Sequence, residues 1–297
     1  MYRIIDTSKY WATISFVSAL VSVVFLAVWG LKLGIDFTGG SSIQLHFPDT
    51  ASRPSIDEMS AALSTVNITD ERIQTAGDTD LLIKLPYINN DQREQILQLF
   101  TDKGVTEQSF STIGPTLGAE LKHKAVTALL LVLLAIVAYI SYAFRKVSQG
   151  PVPSWVFGLS AIIALAHDIL LVLGVFSLLG HFFDVQIDSL FVTALLTILG
   201  FSVHDTIVVY DRIREGLKDR ATKTFREIIN SSINTTLARS LNTSLATLLV
   251  LLVLYLFGGE SIHHFVFTLL IGIIFGTYSS IFIASPLLLV GQKILKK

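Results

Sequence analysis

Six apolar blocks, separated by polar stretches, dominate the pattern of residues along the chain. The first has no charged side chain over residues 11–31 and lies between Lys9 and Lys32, as expected of a helix that spans a bilayer. A signal peptide is the competing interpretation, but its apolar core is shorter and ends in small residues, whereas residues 28–31 are mostly bulky. The pattern predicts transmembrane helices at 11–31, 125–144, 155–180, 190–210, 240–257 and 265–290.

The distribution of lysine and arginine predicts the orientation. Six spans place both termini on one side, and cytoplasmic loops are enriched in basic residues. The opposite short loops, 181–189 and 258–264, have none. We expect a plasma (inner) membrane protein whose N-terminus (1–10), loop 211–239 and tail (291–297) are cytoplasmic. Within that loop, residues 211–226 are predicted to form either an interfacial helix or a solvated connection. The basic residues on that side are Arg3, Lys9, Arg145, Lys146, Arg212, Arg214, Lys218, Arg220, Lys223, Arg226, Arg239, Lys293, Lys296 and Lys297.

The segment 32–124 is the one sizeable polar stretch, and the orientation places it on the external, periplasmic side. Residues 43–47 alternate apolar and polar side chains as a half-buried strand does, and Ser55 with Glu58 forms a capping-box pattern before an amphipathic helix. The order β-α-β-β-α-β indicates a ferredoxin-like α+β scaffold, which serves many functions. The remaining signals are strands at 72–74, 81–85 and 107–112 and a helix that Asn90 caps and Gly104 ends.

Composition and charge exclude several classes of function. The chain is 52% hydrophobic and 15% charged, with a mean hydropathy of +0.64, which is typical of a polytopic α-helical membrane protein. Its net charge of −1 argues against nucleic-acid binding. The absence of cysteine excludes thiol nucleophiles, disulfides, Cys-ligated zinc, iron–sulfur clusters and c-type haem. No cofactor or metal is indicated.

Two aspartates lie inside predicted spans, Asp168 in the third and Asp205 in the fourth. A carboxylate at the bilayer centre costs about 2.5–3.5 kcal/mol unless it is protonated, paired or hydrated, so each is a candidate functional group. His167 and His204 precede them directly. Because neighbouring side chains on a helix point about 100° apart, we expect only one member of each His-Asp pair to line a given cavity.

Arg239, at the start of the fifth span, is expected to pair with a carboxylate, and Asp205 on the preceding span is the natural candidate. Such a pair predicts a proton switch, in which Asp205 is ionised beside Arg239 and takes a proton when the two separate. A static buried ion pair that fixes helix register is the alternative for these two residues. For Asp168, a hydrogen-bonding role between helices is the alternative to a part in proton transfer.

Several motifs are spread along the chain. The most specific is SVHDTIVVYDRIRE at 202–215, which includes Asp211 and Arg212. The first, GIDFTGGS at 34–41, carries Gly34, Asp36, Gly39 and Gly40. The others are GPTLGAEL at 114–121, His167-Asp168, NTTLARSLNTS at 234–244 and GTYSSIFIASP at 276–286. Together these motifs resemble the SecD/SecF family of the bacterial Sec protein-export machinery, a branch of the resistance-nodulation-division superfamily, and within it the SecF type.

This resemblance implies half of a pseudo-symmetric twelve-helix unit, with a SecD subunit as the other half. Such a complex is expected to use the proton-motive force beside the SecYEG channel and the SecA ATPase to promote the forward movement of a preprotein. The chain is then a transport subunit in a lipid bilayer rather than an enzyme. Carried over by motif, Asp205 and Arg239 are proton-path residues; Asp168 and His204, which stands where many relatives have Asn, are further candidates.

Three other interpretations compete with this one. Another proton-driven exporter of the superfamily would use the same machinery, but such pumps usually have much larger external domains. An intramembrane protease could use Asp168 and Asp205 as an aspartic dyad, but the Gly-x-Gly-Asp signature is missing and Arg239 favours an ionised carboxylate. A non-energised assembly scaffold differs in that the charge of Asp205 would not matter.

Overall fold

The computed structural model describes residues 2–145, 151–217 and 223–295. Five of the basic residues used to predict the orientation, Lys146, Lys218, Arg220, Lys296 and Lys297, lie outside these ranges. The chain divides into an α+β unit, Leu33–Val126, and a helical unit formed by Met1–Lys32 and Thr127–Lys297.

The elements follow the predicted succession of a first span, a small sheet domain and five further spans. Six helices of the described chain are long and apolar enough to cross a bilayer: α1, α5, α6, α7, α8 and the continuous run from α9 to α10. In chain order the elements are α1 (Ser8–Val28), α2 (Ile35–Thr38), β1 (Gly40–His46), α3 (Ile56–Thr65), β2 (Arg72–Ala76), β3 (Asp80–Leu85), α4 (Asn90–Leu99), β4 (Thr106–Ile113), α5 (Pro115–Ala143), α6 (Ser154–Phe183), α7 (Ser189–Gly216), α8 (Phe225–Phe257), α9 (His263–Ser279), a π-helical segment (Ser280–Ala284) and α10 (Ser285–Leu295).

Several helices extend beyond their apolar blocks. α5 begins at Pro115, where proline suits the first helical position because its missing N–H has no intrahelical partner there. α8 begins at Phe225, and Thr224 and Glu227 form its capping box. The predicted loop 211–239 is therefore helical at both ends, since α7 continues to Gly216 and α8 supplies residues from Phe225 onward.

The α+β unit has the ferredoxin-like topology that the sequence predicts. Its four strands form an antiparallel sheet in the order β2-β3-β1-β4, in which β3 lies beside β1. The alternating side chains Ile43, Leu45 and Phe47 are fully buried against the two helices, as predicted. The capping box of Ser55 and Glu58 forms, but the second helix is capped by Asn89 with Gln92, one residue before the predicted Asn90.

Two pairs of spans in the helical unit approach each other closely at glycine residues. A Cβ at Gly174 of α6 would lie within 2.4 Å of the Cβ of Ser22 on α1, and one at Gly276 of α9 would lie 2.9 Å from the Cβ of Ser202 on α7. Helices in membranes associate through such small-residue contacts because the lipid supplies no hydrophobic driving force between them. These contacts fix the registers of α1 against α6 and of α7 against α9.

The N-terminal segment, residues 2–7, is bound along the first turns of α8. The side-chain amides of Asn230 and Asn234 both donate to the carbonyl oxygen of Tyr2, and the Asn234 Oδ1 accepts from the Tyr2 amide at 2.7 Å. Arg226 pairs with Asp6 at 2.6 Å. The positions 226, 230 and 234 lie on one face of the helix, so α8 presents a continuous polar strip to this segment.

Candidate functional site

Asp168 lies at the centre of a hydrogen-bonded junction of three spans. Its carboxyl is fully buried. The hydroxyls of Ser202 on α7 and Ser279 at the end of α9 both donate to its Oδ2 at 2.7 Å. A buried carboxyl group that accepts two hydroxyl hydrogen bonds is well compensated for the loss of water. These contacts agree with the interpretation that Asp168 forms hydrogen bonds between helices.

The sixth span is locally π-helical beside this junction. Ser280, the first residue of the π-helical segment, shares a hydrogen bond of 2.9 Å with Thr206 of α7, and its hydroxyl also lies 3.3 Å from the carbonyl oxygen of Ser202. The Ser285 hydroxyl donates to the carbonyl oxygen of Ser280 at 3.0 Å. π-Helical turns are rare and frequently lie at functional sites.

His167 shares the burial of Asp168. Its Nδ1 lies 3.2 Å from the Asp168 Oδ1, and its ring centroid lies 6.4 Å from that of Tyr278. Among the described residues, the His167 Nε2 has no hydrogen-bond partner. Both members of this His-Asp pair are therefore buried, because the short aspartate and the adjacent imidazole turn toward each other.

Asp205 is the second buried carboxyl group, and its environment is different. Only 5% of its surface is exposed, and its Oδ2 has no hydrogen-bond partner in the described chain. Ser240 of α8 approaches it and is 1% exposed, but the Ser240 hydroxyl also lacks a partner among the described residues. An unsatisfied buried polar group costs about 1–3 kcal/mol, and more when it is charged. Asp205 thus has a buried acceptor oxygen that no described residue uses.

The structure does not form the expected ion pair between Asp205 and Arg239. Arg239 directly precedes Ser240 on α8 but is exposed, and it makes no ion pair with a residue that the structure describes. The physical reason is the helical period, because Ser240 occupies the face toward Asp205 and Arg239 points about 100° away. His204 is likewise exposed beside the buried Asp205, as expected for this second His-Asp pair.

The glycines of the first motif form a close backbone junction in the α+β unit. Gly39 and Gly40 have φ angles of 75° and 147°, which L side chains rarely adopt. A Cβ on Gly39 would lie 2.7 Å from the Cα of Pro115, and one on Gly118 would lie 2.7 Å from the amide nitrogen of Gly39. The motifs 34–41 and 114–121 therefore pack directly on each other. Gly34 caps α2, and Asp36 lies in its first turn.

The DRIRE part of the fourth-span motif lies at the exposed end of α7. Asp211 pairs with Arg214 at 2.5 Å and Arg212 with Glu215 at 2.8 Å, each three residues apart on the helix. These pairs are half exposed and contribute little to stability. Sequence reasoning missed Ser202, Ser279 and Ser240 as partners of the aspartates, although the small polar residues inside the motifs 202–215 and 276–286 were a usable signal.

Comparison with known proteins identifies the family. The family model described as "Protein export membrane protein SecD/SecF, C-terminal" matches residues 93–293, and the SecD/SecF GG motif matches residues 24–47. The protein translocase subunit SecF of Thermobaculum terrenum is 42% identical over 93% of this chain and 89% of its own length. That of Anaerolinea thermophila is 38% identical over 98% of this chain and 94% of its own length.

Two solved structures of SecDF extend the likeness to the whole fold. SecDF from Thermus thermophilus, described as a translocon-associated membrane protein, matches 98% of this chain with 33% identity and a TM-score of 0.85. SecDF in a form called super-membrane-facing matches 99% with 31% identity and a TM-score of 0.71. The chain spans about two fifths of the SecDF chain, 39% in both cases. With six candidate spans and these relatives, this multi-pass membrane protein belongs to the SecD/SecF family of protein export membrane proteins.

Proposed function

We propose that this chain is the SecF-type half of a proton-driven complex with SecD. The complex resides in the inner membrane with both termini of this chain in the cytoplasm, and it promotes late steps of preprotein export through SecYEG after the action of SecA. The chain acts as a transport subunit and not as an enzyme. The family relationship supports the export role, and the basic residues at one end of the spans support the orientation.

The unused acceptor of Asp205 is the observation that carries this proposal. A carboxylate at this depth costs about 2.5–3.5 kcal/mol unless it is neutralised, and among the described residues the group that approaches Asp205 from the facing helix is the neutral Ser240. The arrangement favours a carboxyl group that holds a proton. The Asp205 carboxyl group can instead pair with a cation when a positively charged side chain moves into the position that Ser240 occupies beside it.

Arg239 supplies that cation in a second conformation. Because Arg239 and Ser240 are consecutive on α8, a rotation of the helix by about 100°, or a smaller rotation with a swing of the long side chain, exchanges one for the other. Asp205 then releases its proton and pairs with Arg239. Each proton that crosses the membrane supplies about 2.3 kcal/mol per 100 mV, which biases the two states.

The SecD subunit is proposed to cover the face of α7 and α8 on which His204 and Arg239 are exposed. A basic side chain exposed to lipid at the level of a span is unfavourable, so this face needs protein or water against it. This chain covers only 39% of the SecDF chain, and the name SecDF supports a SecD half as the partner. His204 is then a titratable group close to Asp205 at this interface.

Asp168 is assigned a different part from Asp205. Its Oδ2 already accepts two hydroxyl hydrogen bonds, so a gain or loss of a proton there would disturb three spans at once. We propose that Asp168 holds α6, α7 and the π-helical part of the sixth span in register while α8 moves. A part in the proton path remains the alternative for Asp168.

The test is pulse-labelled export in cells whose only copy of the chain carries Asp205→Asn, with co-purification of SecD measured in parallel. We expect the precursor of a secreted protein to accumulate while the complex stays intact. Asp205→Glu, which keeps a titratable group, should restore part of the export. Normal export with Asp205→Asn would favour the non-energised scaffold, and normal protein export with lost transport of a lipid or small molecule would favour another exporter.

A further inference from the structure

A polar cavity lies where α7 ends and α8 begins. Its volume is about 240 Å³, several times the roughly 30 Å³ that one water molecule takes in the liquid. Gly216 forms part of its wall, and a Cβ there would lie 2.9 Å from the Cγ2 of Ile228, so glycine keeps this wall open. We call it the α7–α8 cavity; its polar lining residues are Arg212, Glu215, Lys223, Ser231, Ser232 and Thr235.

Among the residues that the structure describes, the charged lining groups give the α7–α8 cavity a positive balance. Arg212 and Lys223 contribute two positive charges and Glu215 one negative charge. The Arg212–Glu215 contact joins one nitrogen of the guanidinium to the carboxylate at 2.8 Å, and an arginine has five N–H donors in total. Lys223 makes no ion pair with any residue in the described ranges. Donors and positive charge therefore remain for a ligand.

The hydroxyl groups of the cavity divide into two kinds. Ser231 and Thr235 donate to backbone carbonyl oxygens of their own helix, at 3.0 Å and 2.5 Å. Ser232 is 3% exposed, lines the cavity, and has no hydrogen-bond partner within the part of the chain that the structure describes. Its hydroxyl is thus an available donor in the wall of a cavity that two basic side chains also line.

Phosphate is the ligand that matches these groups. An arginine fork recognises phosphate oxygens in pairs, lysine binds phosphate as a point charge, and a hydroxyl donor adds a directional contact. Basic pockets between spans at a membrane surface bind the phosphate of lipid headgroups. The cavity lies at the ends of two candidate spans, α7 and α8.

We propose that the α7–α8 cavity binds a phosphate group, held by Arg212, Lys223 and Ser232 and supplied by an anionic phospholipid or by free phosphate. This gives the Arg212 of the DRIRE motif a ligand. It also ties the end of α7, the helix of Asp205, to the start of α8, the helix of Arg239. The proposal concerns binding and stands apart from the export function.

The experiment uses the absence of cysteine from the chain. Ser231→Cys places a single thiol in the cavity of the full chain, assembled with SecD in nanodiscs. The rate of maleimide labelling is measured in phosphatidylcholine alone, in phosphatidylcholine with phosphatidylglycerol, and in phosphatidylcholine with added inorganic phosphate. The measurement is repeated with Arg212→Gln, Lys223→Gln and, as a matched control, Arg214→Gln, which removes the same charge from α7 but does not line the cavity.

We expect a bound phosphate to slow the labelling. Arg212→Gln and Lys223→Gln should each lower the affinity for the protecting ligand by about fivefold. Arg214→Gln should leave the protection unchanged. Protection by phosphatidylglycerol alone identifies a lipid headgroup as the source, and protection by inorganic phosphate identifies free phosphate. Unchanged labelling with both probes would overturn the proposal, as would equal losses in all three variants, which would indicate general attraction to a charged surface.

Discussion

The carboxyl group of Asp168 on α6 and the hydroxyl of Ser279 on α9 are joined by a 2.7 Å hydrogen bond at the residue that precedes the π-helical segment. The same Asp168 oxygen accepts from Ser202 on α7. One buried oxygen atom therefore fixes the relative positions of three spans. This junction lies beside the π-helical segment, where the turn of the sixth span is wider. A strong junction would keep that span in its present shape while other helices move.

We predict that Asp168→Ala destabilises the complex far more than Asp168→Asn. Alanine leaves the hydroxyl of Ser202 without its Asp168 acceptor, at about 1–3 kcal/mol for an unsatisfied group. The hydroxyl of Ser279 also loses Asp168 but keeps the carbonyl oxygen of Gly276 at 3.1 Å. Asparagine keeps one acceptor oxygen and nearly the same shape. The melting temperature of the purified complex with SecD, followed by tryptophan fluorescence, measures the difference. Equal effects of both changes would contradict the structural role of the acceptor oxygen. A stable Asp168→Asn complex that no longer exports protein would assign Asp168 to the proton path.

Gly39→Ala is predicted to destabilise the α+β unit more than Gly77→Ala. Both glycines have positive φ angles, 75° and 70°, which L side chains rarely adopt, and the ψ angle of 157° at Gly39 lies in a region that is essentially restricted to glycine. Only at Gly39 would the new Cβ also meet backbone, 2.7 Å from the Cα of Pro115, whereas Gly77 has open space. Hydrogen exchange of β1 in the full chain measures the stability of the unit. Equal exchange rates in the two variants would contradict the close junction.

A third prediction concerns the acid stability of the α+β unit. Burial raises the pKa of Asp80, but hydrogen bonds from His46, Gln44 and Thr79 outweigh burial and hold the pKa below the usual 3.8. A lowered folded-state pKa stabilises the folded unit above pH 3.8, and this contribution disappears as the pH falls through the lower folded value. Protection of β3 against hydrogen exchange should fall in that range. Asp80→Asn should remove this part of the pH dependence, and Asp102→Asn, at an exposed position, should retain it.

Much of the fold could be predicted because burial leaves a periodic signal. The apolar blocks predict six spans, and the alternation at 43–47 predicts the buried face of β1. The early starts of α5 and α8 were not predicted, because residues 115–124 and 225–239 are polar enough to interrupt the hydropathy signal while they remain helical. Hydropathy detects the membrane environment and not the helix itself.

The site was predicted only as far as its buried charges. Asp168 and Asp205 are conspicuous in apolar sequence, but their partners are serines, which are common on any helix face. Which face of α8 turns toward α7 depends on packing, so Ser240 rather than Arg239 beside Asp205 could not be read from spacing alone. The contact of His167 with Asp168 also depends on side-chain rotation that a helical wheel does not describe.

The proposed orientation is tested with two single cysteines in this cysteine-free chain. The two variants are Lys103→Cys and Lys293→Cys. Residue 103 lies on the exposed surface of the α+β unit, and residue 293 lies in the exposed last turn of α10. In intact spheroplasts, a membrane-impermeant maleimide should label only the first, and after lysis it should label both. Both variants remove one lysine, so a difference in charge cannot explain the contrast. Labelling of Lys293→Cys from outside would reverse the orientation.

The central claim, that Asp205 carries a proton step in export, is tested most directly in inverted membrane vesicles that contain SecYEG, SecD and this chain. Translocation of a preprotein is driven by SecA and ATP, with and without an imposed proton-motive force. We predict that the proton-motive force speeds late translocation with the wild-type chain and has no such effect with Asp205→Asn, while the ATP-driven part is equal in both. Stimulation of the same size in the Asp205→Asn vesicles would contradict the account.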